Sequence, residues 1–447
     1  MRVLTASLIV LMLAACNGGD GVVDSTPAPP PSACSNDGQK QFVLDQLYAW
    51  YLWNDLLPSG ISIDDYASPE ELVTVVTQTF GPQRPGGGPL DRFSSVGSLQ
   101  ADQQFFGEGR YEGFGFSWRF EGSDMVFTRV FVDSPAGVAG FARGQTVLTI
   151  DGRTIAEIEA NEGVNTALGG QTVVFQIENQ DSSTFTTTLT RDIVTIDPVP
   201  QWRVIDQGAG QPPVGYMEFA TFISTAEPEF EAVFSGFLAN GVRDVIIDMR
   251  YNGGGLVSTA ELLGDYLGGL DNDGQVFSNT EFNADRAAAN NSTEFFARQG
   301  SSVSLDRLII VASRGTASAS ELVTNSLDPY LADGVYIVGD NTFGKPVGQI
   351  GLEFCEKILR PTSFQLTNAA GFGDYFDGLP VDCAAPDDAS IPVGDALDPN
   401  VVAALSYVNG AGCPVVSLPG GQQKATLFDL EAPDLTGPPE REFANAY

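Results

Sequence analysis

The chain has 447 residues, and its 57 acidic against 22 basic residues give a formal net charge of −35. Such a surface repels nucleic acid and anionic lipid headgroups, which excludes both as partners, and solubility in salty surroundings is the simplest reason for the charge. The length allows two or three domains, and the absence of histidine excludes the imidazole base that serine hydrolases usually employ.

The first sixteen residues predict export. A largely apolar run at 3–13 follows Arg2, is too short to span a bilayer as a helix, and leads into Leu-Ala-Ala-Cys at 13–16. This ending resembles the lipobox of bacterial lipoproteins, which implies a signal peptide of residues 1–15 and a lipid anchor on Cys16. An ordinary signal peptide before a cysteine is the alternative. We expect a cell-envelope protein, anchored in the outer membrane and facing the periplasm, with residues 16–33 as a disordered tether.

Residues 34–99 predict a small helical domain. Apolar residues recur with helical spacing over 41–54. A second helix is predicted over Pro69–Phe80, because Ser68 is a suitable N-cap ahead of two glutamates. The run 81–89, rich in Gly and Pro, predicts a loop.

Residues 100–198 predict a β-rich domain. Strand-like runs occur at 125–132, 146–150, 172–177 and 184–190, with turns between them, and a short helix is predicted to start at Ser134. The string Gly-Phe-Gly-Phe opens this set. Its glycines allow successive N–H groups to face one concavity, which suits a terminal carboxylate, although such a string is also compatible with a plain bent strand.

The same region resembles a PDZ domain. Its carboxylate-binding loop is matched by Gly113, Phe114, Gly115 and Phe116, and the family's Ser-Pro-Ala run is matched from 134 onward. The resemblance implies capture of a peptide's C-terminal carboxylate. Two departures from the family pattern, at 145 and 151, lie outside the loop.

Residues 199–413 alternate between strand and helix patterns, which predicts an α/β core. Strands are predicted at 214–219, 245–249, 308–312 and 335–338, and helices at 227–240, 256–267 and 318–327. The polar stretch 268–303 predicts an irregular surface excursion, and residues 414–447 predict a loosely held tail.

Four cysteines remain after export, namely Cys34, Cys355, Cys383 and Cys413. An even number in an oxidising compartment favours disulfides, and four cysteines allow three pairings. Closeness in sequence favours Cys355–Cys383, which leaves Cys34–Cys413 to join the two ends of the folded body. Free buried thiols are the alternative.

A serine and a rare lysine are the candidate catalytic residues. Ser318 follows a predicted strand and opens a predicted helix within Gly-Thr-Ala-Ser-Ala-Ser-Glu at 315–321. Without histidine, its base must be a carboxylate, a lysine or a terminus. The chain has four lysines, and Lys345 lies in a Phe-Gly-Lys turn at 343–345. The triple glycine at 253–255 also opens a predicted helix, and its N–H groups suit developing negative charge.

Together these segments resemble the C-terminal processing (tail-specific) peptidases, a Ser/Lys family, over roughly residues 40–410. The resemblance implies a ClpP/crotonase-like α/β core behind a PDZ domain and a small N-terminal helical domain. It implies that Ser318 is the nucleophile, Lys345 the base and Gln349 the third member of the set. Pro346 departs from the small residue that usually follows the lysine and bears on where the lysine points.

The resemblance also implies the oxyanion donors, which carry over as the backbone N–H groups of Gly254, with Gly255 as the alternative, and Ala319. Other serine-cluster residues offer weaker alternatives: Ser320 and Thr316 as nucleophiles. Glu321 fits a structural role better than that of a general base, and Asp248 and Arg250 are expected to brace the glycine turn.

The function implied is a serine endopeptidase that needs no cofactor or metal. Its partners would be protein or peptide substrates with free C-termini, recognised through the PDZ domain. One alternative is a catalytically weak or inactive adaptor lipoprotein that binds peptides through its PDZ domain. Another is a Ser/Lys hydrolase acting on cell-wall or small amide substrates. The oligomeric state does not follow from the sequence.

Overall fold

The computed structural model describes residues 31–208 and 210–414. Within these two ranges no helix is long and apolar enough to cross a membrane. The predicted signal peptide, the lipidated Cys16, most of the predicted tether and residues 415–447 lie outside the described part of the chain.

The N-terminal part is helical, as predicted. It contains α1 (Asn36–Trp50), α2 (Pro69–Phe80), β1 (Ser95–Ser98) and α3 (Leu99–Glu108). Ser68 caps α2 by accepting the N–H of Glu71, as its position before two glutamates predicted. The buried side of the first two helices packs against a small antiparallel sheet contributed by residues 352–359 of the core.

The β-rich part has a hydrophobic core of its own, dominated by phenylalanines. Its elements are β2 (Arg110–Gly113), β3 (Phe116–Glu121), β4 (Asp124–Val130), α4 (Pro135–Val138), β5 (Thr146–Ile150), β6 (Arg153–Thr154), α5 (Ile155–Asn161), α6 (Val164–Ala167), β7 (Thr172–Glu178), β8 (Thr184–Thr190) and β9 (Asp192–Thr195). The main sheet has the order β3-β4-β5-β7-β8, with β6 paired to β5, and β2 pairs with β9. Strand β3 is therefore an edge strand.

The remaining residues form the α/β core. Its elements are β10 (Gln201–Ile205), β11 (Val214–Glu218), α7 (Glu227–Ala239), β12 (Asp244–Asp248), α8 (Val257–Asn272), β13 (Val276–Phe282), α9 (Ala287–Asn290), β14 (Ser292–Phe295), β15 (Arg307–Ala312), α10 (Ala319–Leu327), β16 (Tyr336–Gly339), β17 (Val347–Gln349), β18 (Leu352–Phe354), β19 (Lys357–Arg360), β20 (Thr362–Thr367), β21 (Cys383–Ala384) and α11 (Pro399–Val408). Short 3-10 turns at Pro31–Cys34, Asn54–Leu56, Ile63–Asp65, Ser224–Ala226 and Asp328–Tyr330 complete the secondary structure.

The central sheet has the order β10-β11-β12-β15-β16-β21, and all its neighbours except β10 and β11 run parallel. Every residue of β11 and β12 is buried, because helices α7, α8 and α10 cover one face and α11 covers the other. This is the arrangement that alternating strands and helices predict. The parallel strands bring the ends of β12 and β15 to one edge of the sheet, where the candidate site lies.

The prediction of an irregular excursion at 268–303 is wrong. Helix α8 continues to Asn272, and β13 and β14 then form a second antiparallel sheet with the order β14-β13-β20-β17. The partner β20 lies far along the chain, and its pairing stabilises a polar strand that local patterns do not reveal.

The predicted disulfide pairing is also wrong, although all four cysteines are oxidised. The bonds are Cys34–Cys355 and Cys383–Cys413. Cys355 lies between β18 and β19, whose sheet packs on the N-terminal helices, whereas Cys383 lies in β21 at the edge of the central sheet. Packing of these elements, and not closeness in sequence, decides which sulfurs meet.

Candidate functional site

Ser318 lies in a strained turn between the end of β15 and the start of α10. Its φ is 54° and its ψ is −113°, a conformation that costs a non-glycine residue on the order of 1–3 kcal/mol. The side chain is only partly buried. Such a turn presents the hydroxyl at the mouth of a helix, where unpaired N–H groups are concentrated.

The two alternative nucleophiles are held in other roles. The hydroxyl of Thr316 donates to the carbonyl oxygen of Met249 at 2.6 Å, and that of Ser320 donates to the carbonyl oxygen of Asn252 at 2.9 Å. Both residues are fully buried. Ser318 is therefore the hydroxyl of this cluster that a substrate can reach.

Lys345 is 4% exposed, and its amine is oriented by Gln349. The Nζ atom donates to Gln349 Oε1 at 2.8 Å. The amide nitrogen of Gln349 donates to the carbonyl oxygens of Phe93 and Arg360, both at 2.8 Å, so its oxygen must face the lysine. The ring of Phe93 covers the amine, with its centroid 5.2 Å from Nζ.

Pro346 does not disturb this arrangement. Its carbonyl oxygen accepts the N–H of Leu366 at 3.0 Å, and β17 begins at the next residue. The proline thus directly precedes a strand, where its fixed φ and missing N–H are tolerated. Lys345 keeps its contact with Gln349.

Glu321 joins the serine turn to the lysine turn. One carboxylate oxygen, Oε2, accepts the backbone N–H groups of Ser318 at 2.9 Å and Lys345 at 2.8 Å. The other, Oε1, accepts the N–H of Gly344 at 2.7 Å and the hydroxyl of Thr342 at 2.5 Å. Complete burial raises the pKa of Glu321, and these four hydrogen bonds partly oppose that rise. With every oxygen engaged, Glu321 is a structural residue, as the sequence favoured.

The glycine turn packs directly on Ser318. A Cβ atom added to Gly254, whose φ is 104°, would lie 2.7 Å from the Cβ of Ser318 and 2.9 Å from the nitrogen of Ala319. The carbonyl oxygen of Asn252 also accepts the N–H of Ala317 at 3.1 Å. The glycine turn therefore packs against the turn that carries the candidate nucleophile, at a distance that only a residue without a Cβ atom allows.

The N–H of Gly254 donates to the side-chain oxygen of Asn252 at 2.9 Å. By contrast, the N–H groups of Gly255 and Ala319 donate to no acceptor within 31–208 and 210–414. Of the two glycines considered from the sequence, Gly255 is the one whose donor is available in this conformation.

Arg250 and Asp248 brace the glycine turn, as expected. The guanidinium of Arg250 binds Asp248 and Asp398, each at 2.6 Å, and all three are buried. The hydroxyl of Tyr216 donates to Asp248 at 3.0 Å. A fully paired, buried network of this kind fixes the end of β12.

The β-rich domain contacts the same turn through Asp387. This carboxylate binds Arg119 and Arg143 of the β-rich domain, Arg250 of the core and the hydroxyl of Tyr251. Burial raises the pKa of Asp387, but the three guanidinium groups outweigh burial and hold the pKa well below its usual range. The sequence gives no signal for this contact, because its members are far apart along the chain.

The Gly-Phe-Gly-Phe string forms a loop ahead of the edge strand β3. Phe114 and Phe116 are buried, whereas a Cβ on Gly115, whose φ is 89°, would collide with Ser134 at 2.0 Å. In the described part of the chain, the N–H groups of Phe114 and Gly115 donate to no acceptor. The loop thus offers adjacent donors beside an open strand edge.

Grouped His, Cys, Asp and Glu side chains able to hold a metal ion are absent from the described ranges. Sequence reasoning missed Phe93, which covers the lysine from the N-terminal domain, and the bridging contacts of Glu321. No local pattern marks Phe93, since its role arises only when the domains pack.

Comparison with known proteins gives one consistent family. Residues 213–371 match Peptidase family S41, and residues 38–95 match the Peptidase S41 N-terminal domain. A chloroplastic C-terminal processing peptidase of Tetradesmus obliquus is 29% identical over 244 residues, which are 50% of this chain and 48% of that protein. The carboxy-terminal processing protease CtpA of Bacillus subtilis is 22% identical over 291 residues, 64% of this chain and 59% of that one. The matches thus span about half the length of these curated relatives.

Solved structures show the same fold. A structure described as an S41 protease from Bacteroides fragilis has a TM-score of 0.64 at 22% identity and covers 83% of this chain and 97% of that chain. A photosystem II D1 C-terminal processing protease has a TM-score of 0.50 at 21% identity, with 79% and 93% covered.

Proposed function

This chain belongs to peptidase family S41, and we propose that it is a serine-type endopeptidase with Ser318 as nucleophile and Lys345 as general base. The observation that carries the proposal is the single carboxylate oxygen of Glu321, which binds the backbone N–H groups of both residues. Because that carboxylate is buried and fully hydrogen-bonded, the two turns are fixed relative to each other.

In the proposed reaction, the uncharged amine of Lys345 takes the hydroxyl proton as Ser318 attacks the carbonyl carbon of the peptide bond. Gln349 orients the amine through a hydrogen bond without adding a charge. The N–H groups of Ala319 and Gly255 stabilise the oxyanion. The proton passes to the departing amine, and water then hydrolyses the ester, which releases a carboxylate and restores the serine.

We further propose that the β-rich domain is a PDZ domain that takes the free C-terminus of the substrate. The donors of Phe114 and Gly115 suit a carboxylate, and the open edge of β3 can pair with an extended peptide. The contact of this domain with the glycine turn, through Asp387, supports a location close to the catalytic centre.

A cell-envelope location, with a lipid on Cys16 and the body facing the periplasm, completes the proposal. The lipobox-like end of residues 1–16 supports the anchor, and two disulfides support an oxidising compartment.

The experiment is hydrolysis of an unfolded protein with an apolar C-terminal residue by the wild type and two variants. We expect Ser318→Ala to abolish turnover and Lys345→Ala to lower kcat about 100- to 10,000-fold, the usual contribution of a general base. Lys357→Ala is the matched control, because that lysine pairs with Glu70 on the surface. It should retain wild-type turnover.

Amidation of the substrate C-terminus should lower kcat/KM if the loop binds a terminal carboxylate. Full activity of Ser318→Ala or Lys345→Ala would contradict the catalytic assignment. Equal cleavage of free and amidated substrates would contradict only the tail-recognition part.

The hydrogen bond from the Gly254 N–H to the side chain of Asn252 occupies a donor that could otherwise stabilise the oxyanion. This observation favours a second candidate function, that of a peptide receptor with a weak or inactive peptidase body. Such a protein would bind C-terminal peptides without hydrolysing them. The wild-type arm of the same experiment separates the two functions.

A further inference from the structure

Three arginines converge beside the lysine turn. Arg84 donates to the carbonyl oxygen of Phe376, and Arg314 donates to the carbonyl oxygens of Asp377 and Thr342. The guanidinium of Arg92 stacks on Phe343, with its carbon 4.6 Å from the ring centroid. Thr342 and Phe343 are adjacent, as are Phe376 and Asp377. The three arginines therefore contact the same two short segments of backbone, 342–343 and 376–377.

The arginines come from distant parts of the chain. Arg84 and Arg92 belong to the N-terminal domain, in the segment between α2 and β1, whereas Arg314 belongs to the turn that carries Ser318. In a chain with 57 acidic and 22 basic residues, three cations packed together are a marked local reversal of the overall charge.

The carboxylates around the cluster, Asp340, Asp377 and Glu321, offset its positive charge only in part, because the pKa values of Arg92 and Arg314 remain lowered, mainly by burial. Arg84 pairs with Asp377 at 3.5 Å, and the side chain of Asp377 is 92% exposed, so the bond is weak. Burial, and then repulsion from Arg84 and Arg314, lowers the pKa of Arg92 to about 10. An anion placed among the three guanidinium groups would relieve that repulsion.

The cluster adjoins the catalytic set. The ring of Phe93 lies with its centroid 5.5 Å from the guanidinium carbon of Arg92 and 5.2 Å from the amine of Lys345. Since an extended chain advances about 3.5 Å per residue, no more than about three residues of peptide separate the two groups.

We propose that Arg84, Arg92 and Arg314 form a subsite for an acidic side chain of the substrate polypeptide, close to the bond that is cleaved. The inference rests on the proposed peptidase function and adds a substrate class to it. A carboxylate fits the planar guanidinium donors, which favour bidentate contacts. A single carboxylate on a peptide also enters more easily than a polyanion, which the net negative surface repels.

The test uses the full chain with Ser318→Ala, so that binding is measured without cleavage. Fluorescent peptides with a free apolar C-terminus carry one Asp at each position in turn, and each is paired with the Asn isostere. We expect one position at which the Asp peptide binds about tenfold more tightly, and we expect that preference to weaken as salt rises.

Arg92→Gln and Arg84→Gln, each in the Ser318→Ala chain, should reduce this preference to less than about threefold. Arg243→Gln is the matched control, because it removes the same charge from an exposed pair with Asp306. It should leave the preference unchanged. Arg92→Glu provides a second test, which measures a reversed preference and not only a lost one. At the peptide position where the wild-type subsite prefers Asp, this variant should bind the peptide with Lys better than the peptide with Asp.

Equal binding of every Asp and Asn pair would overturn the subsite, as would a preference that survives both arginine substitutions. Failure of the proposed peptidase function would be seen in a different experiment, as the absence of hydrolysis by the chain that retains Ser318. The two proposals therefore fail by different measurements.

Discussion

The candidate site depends on two residues, Gly254 and Glu321, whose surroundings do not tolerate a different side chain. Gly254 lies against Ser318 with φ at 104°, so a side chain there meets both steric collision and backbone strain. Glu321, by contrast, must keep its side chain, because four donors converge on a carboxylate that water does not reach. Together they position Ser318 from two sides.

We expect Gly254→Ala to lower kcat/KM at least about 100-fold, because the added Cβ displaces either Ser318 or the donors beside it. The measurement is kcat/KM together with the rate of labelling by a serine-directed fluorophosphonate. Gly274→Ala is the control, since Gly274 has a positive φ of 77° but nothing within 4 Å of the added Cβ. It should cost about 1 kcal/mol of stability and leave kcat/KM unchanged. Labelling of Gly254→Ala at the wild-type rate would contradict this account.

At the scale of elements, Asp387 connects the β-rich domain to the end of β12. Its carboxylate is shared by two arginines of one domain and one of the other. Removal of the carboxylate from such a buried network leaves buried cations without a compensating negative charge. The contact between the two parts therefore depends strongly on this one side chain.

We expect Asp387→Asn to lower the free energy of unfolding by about 3 kcal/mol and to speed limited proteolysis between the two parts. Asp306→Asn, which breaks an exposed pair with Arg243, should change stability by less than about 1 kcal/mol. A destabilisation no larger than that of the control would show that Asp387 is not the main contact.

The pH dependence of this effect follows from the sign of the shift. Because the folded protein holds the pKa of Asp387 well below its usual range, its contribution is present above the ordinary Asp value of about 3.9. It is lost progressively as the pH falls below that ordinary value and through the lower, folded value. The difference between wild type and Asp387→Asn should thus be constant from about pH 5 to pH 8 and shrink in stronger acid.

At the scale of the whole molecule, the two disulfides make different connections. Cys34–Cys355 joins residues 321 apart and ties the N-terminal helices to the core, whereas Cys383–Cys413 joins residues 30 apart at one edge of the central sheet. A longer closed loop restricts the unfolded chain more, so the first bond is expected to stabilise the protein more.

We expect the double change Cys34→Ser with Cys355→Ser to lower the free energy of unfolding by about 4 kcal/mol. Cys383→Ser with Cys413→Ser is the matched comparison and should cost about 3 kcal/mol or somewhat less. Non-reducing peptide mapping of the wild type should recover both bonds, and a Cys355–Cys383 peptide would contradict the pairing.

Local structure was largely predictable. The bounds of Pro69–Phe80, Thr146–Ile150 and Thr184–Thr190 follow from caps, periodicity and turns, and the structure confirms them. The strand–helix alternation likewise predicted the α/β core. These signals reside in neighbouring residues, which act on each other in any fold.

Contacts between distant segments were not predictable. The strand Val276–Phe282 exists because β20 pairs with it, and the disulfide partners follow the packing of the elements that carry them. Phe93 and Arg92 reach the lysine turn only because the N-terminal domain packs there. Nothing in the sequence around 92–93 indicates such a position.

Residue types and local patterns were enough to indicate which chemical groups the protein can use: a serine cluster, a scarce lysine, glycine turns and no histidine. How these groups meet is set by the fold, in which Glu321 joins the serine turn to the lysine turn and the available N–H donor belongs to Gly255 rather than Gly254. The physical reason is that residue types limit which reactions are possible, whereas hydrogen bonds and packing between distant segments fix distances and orientations.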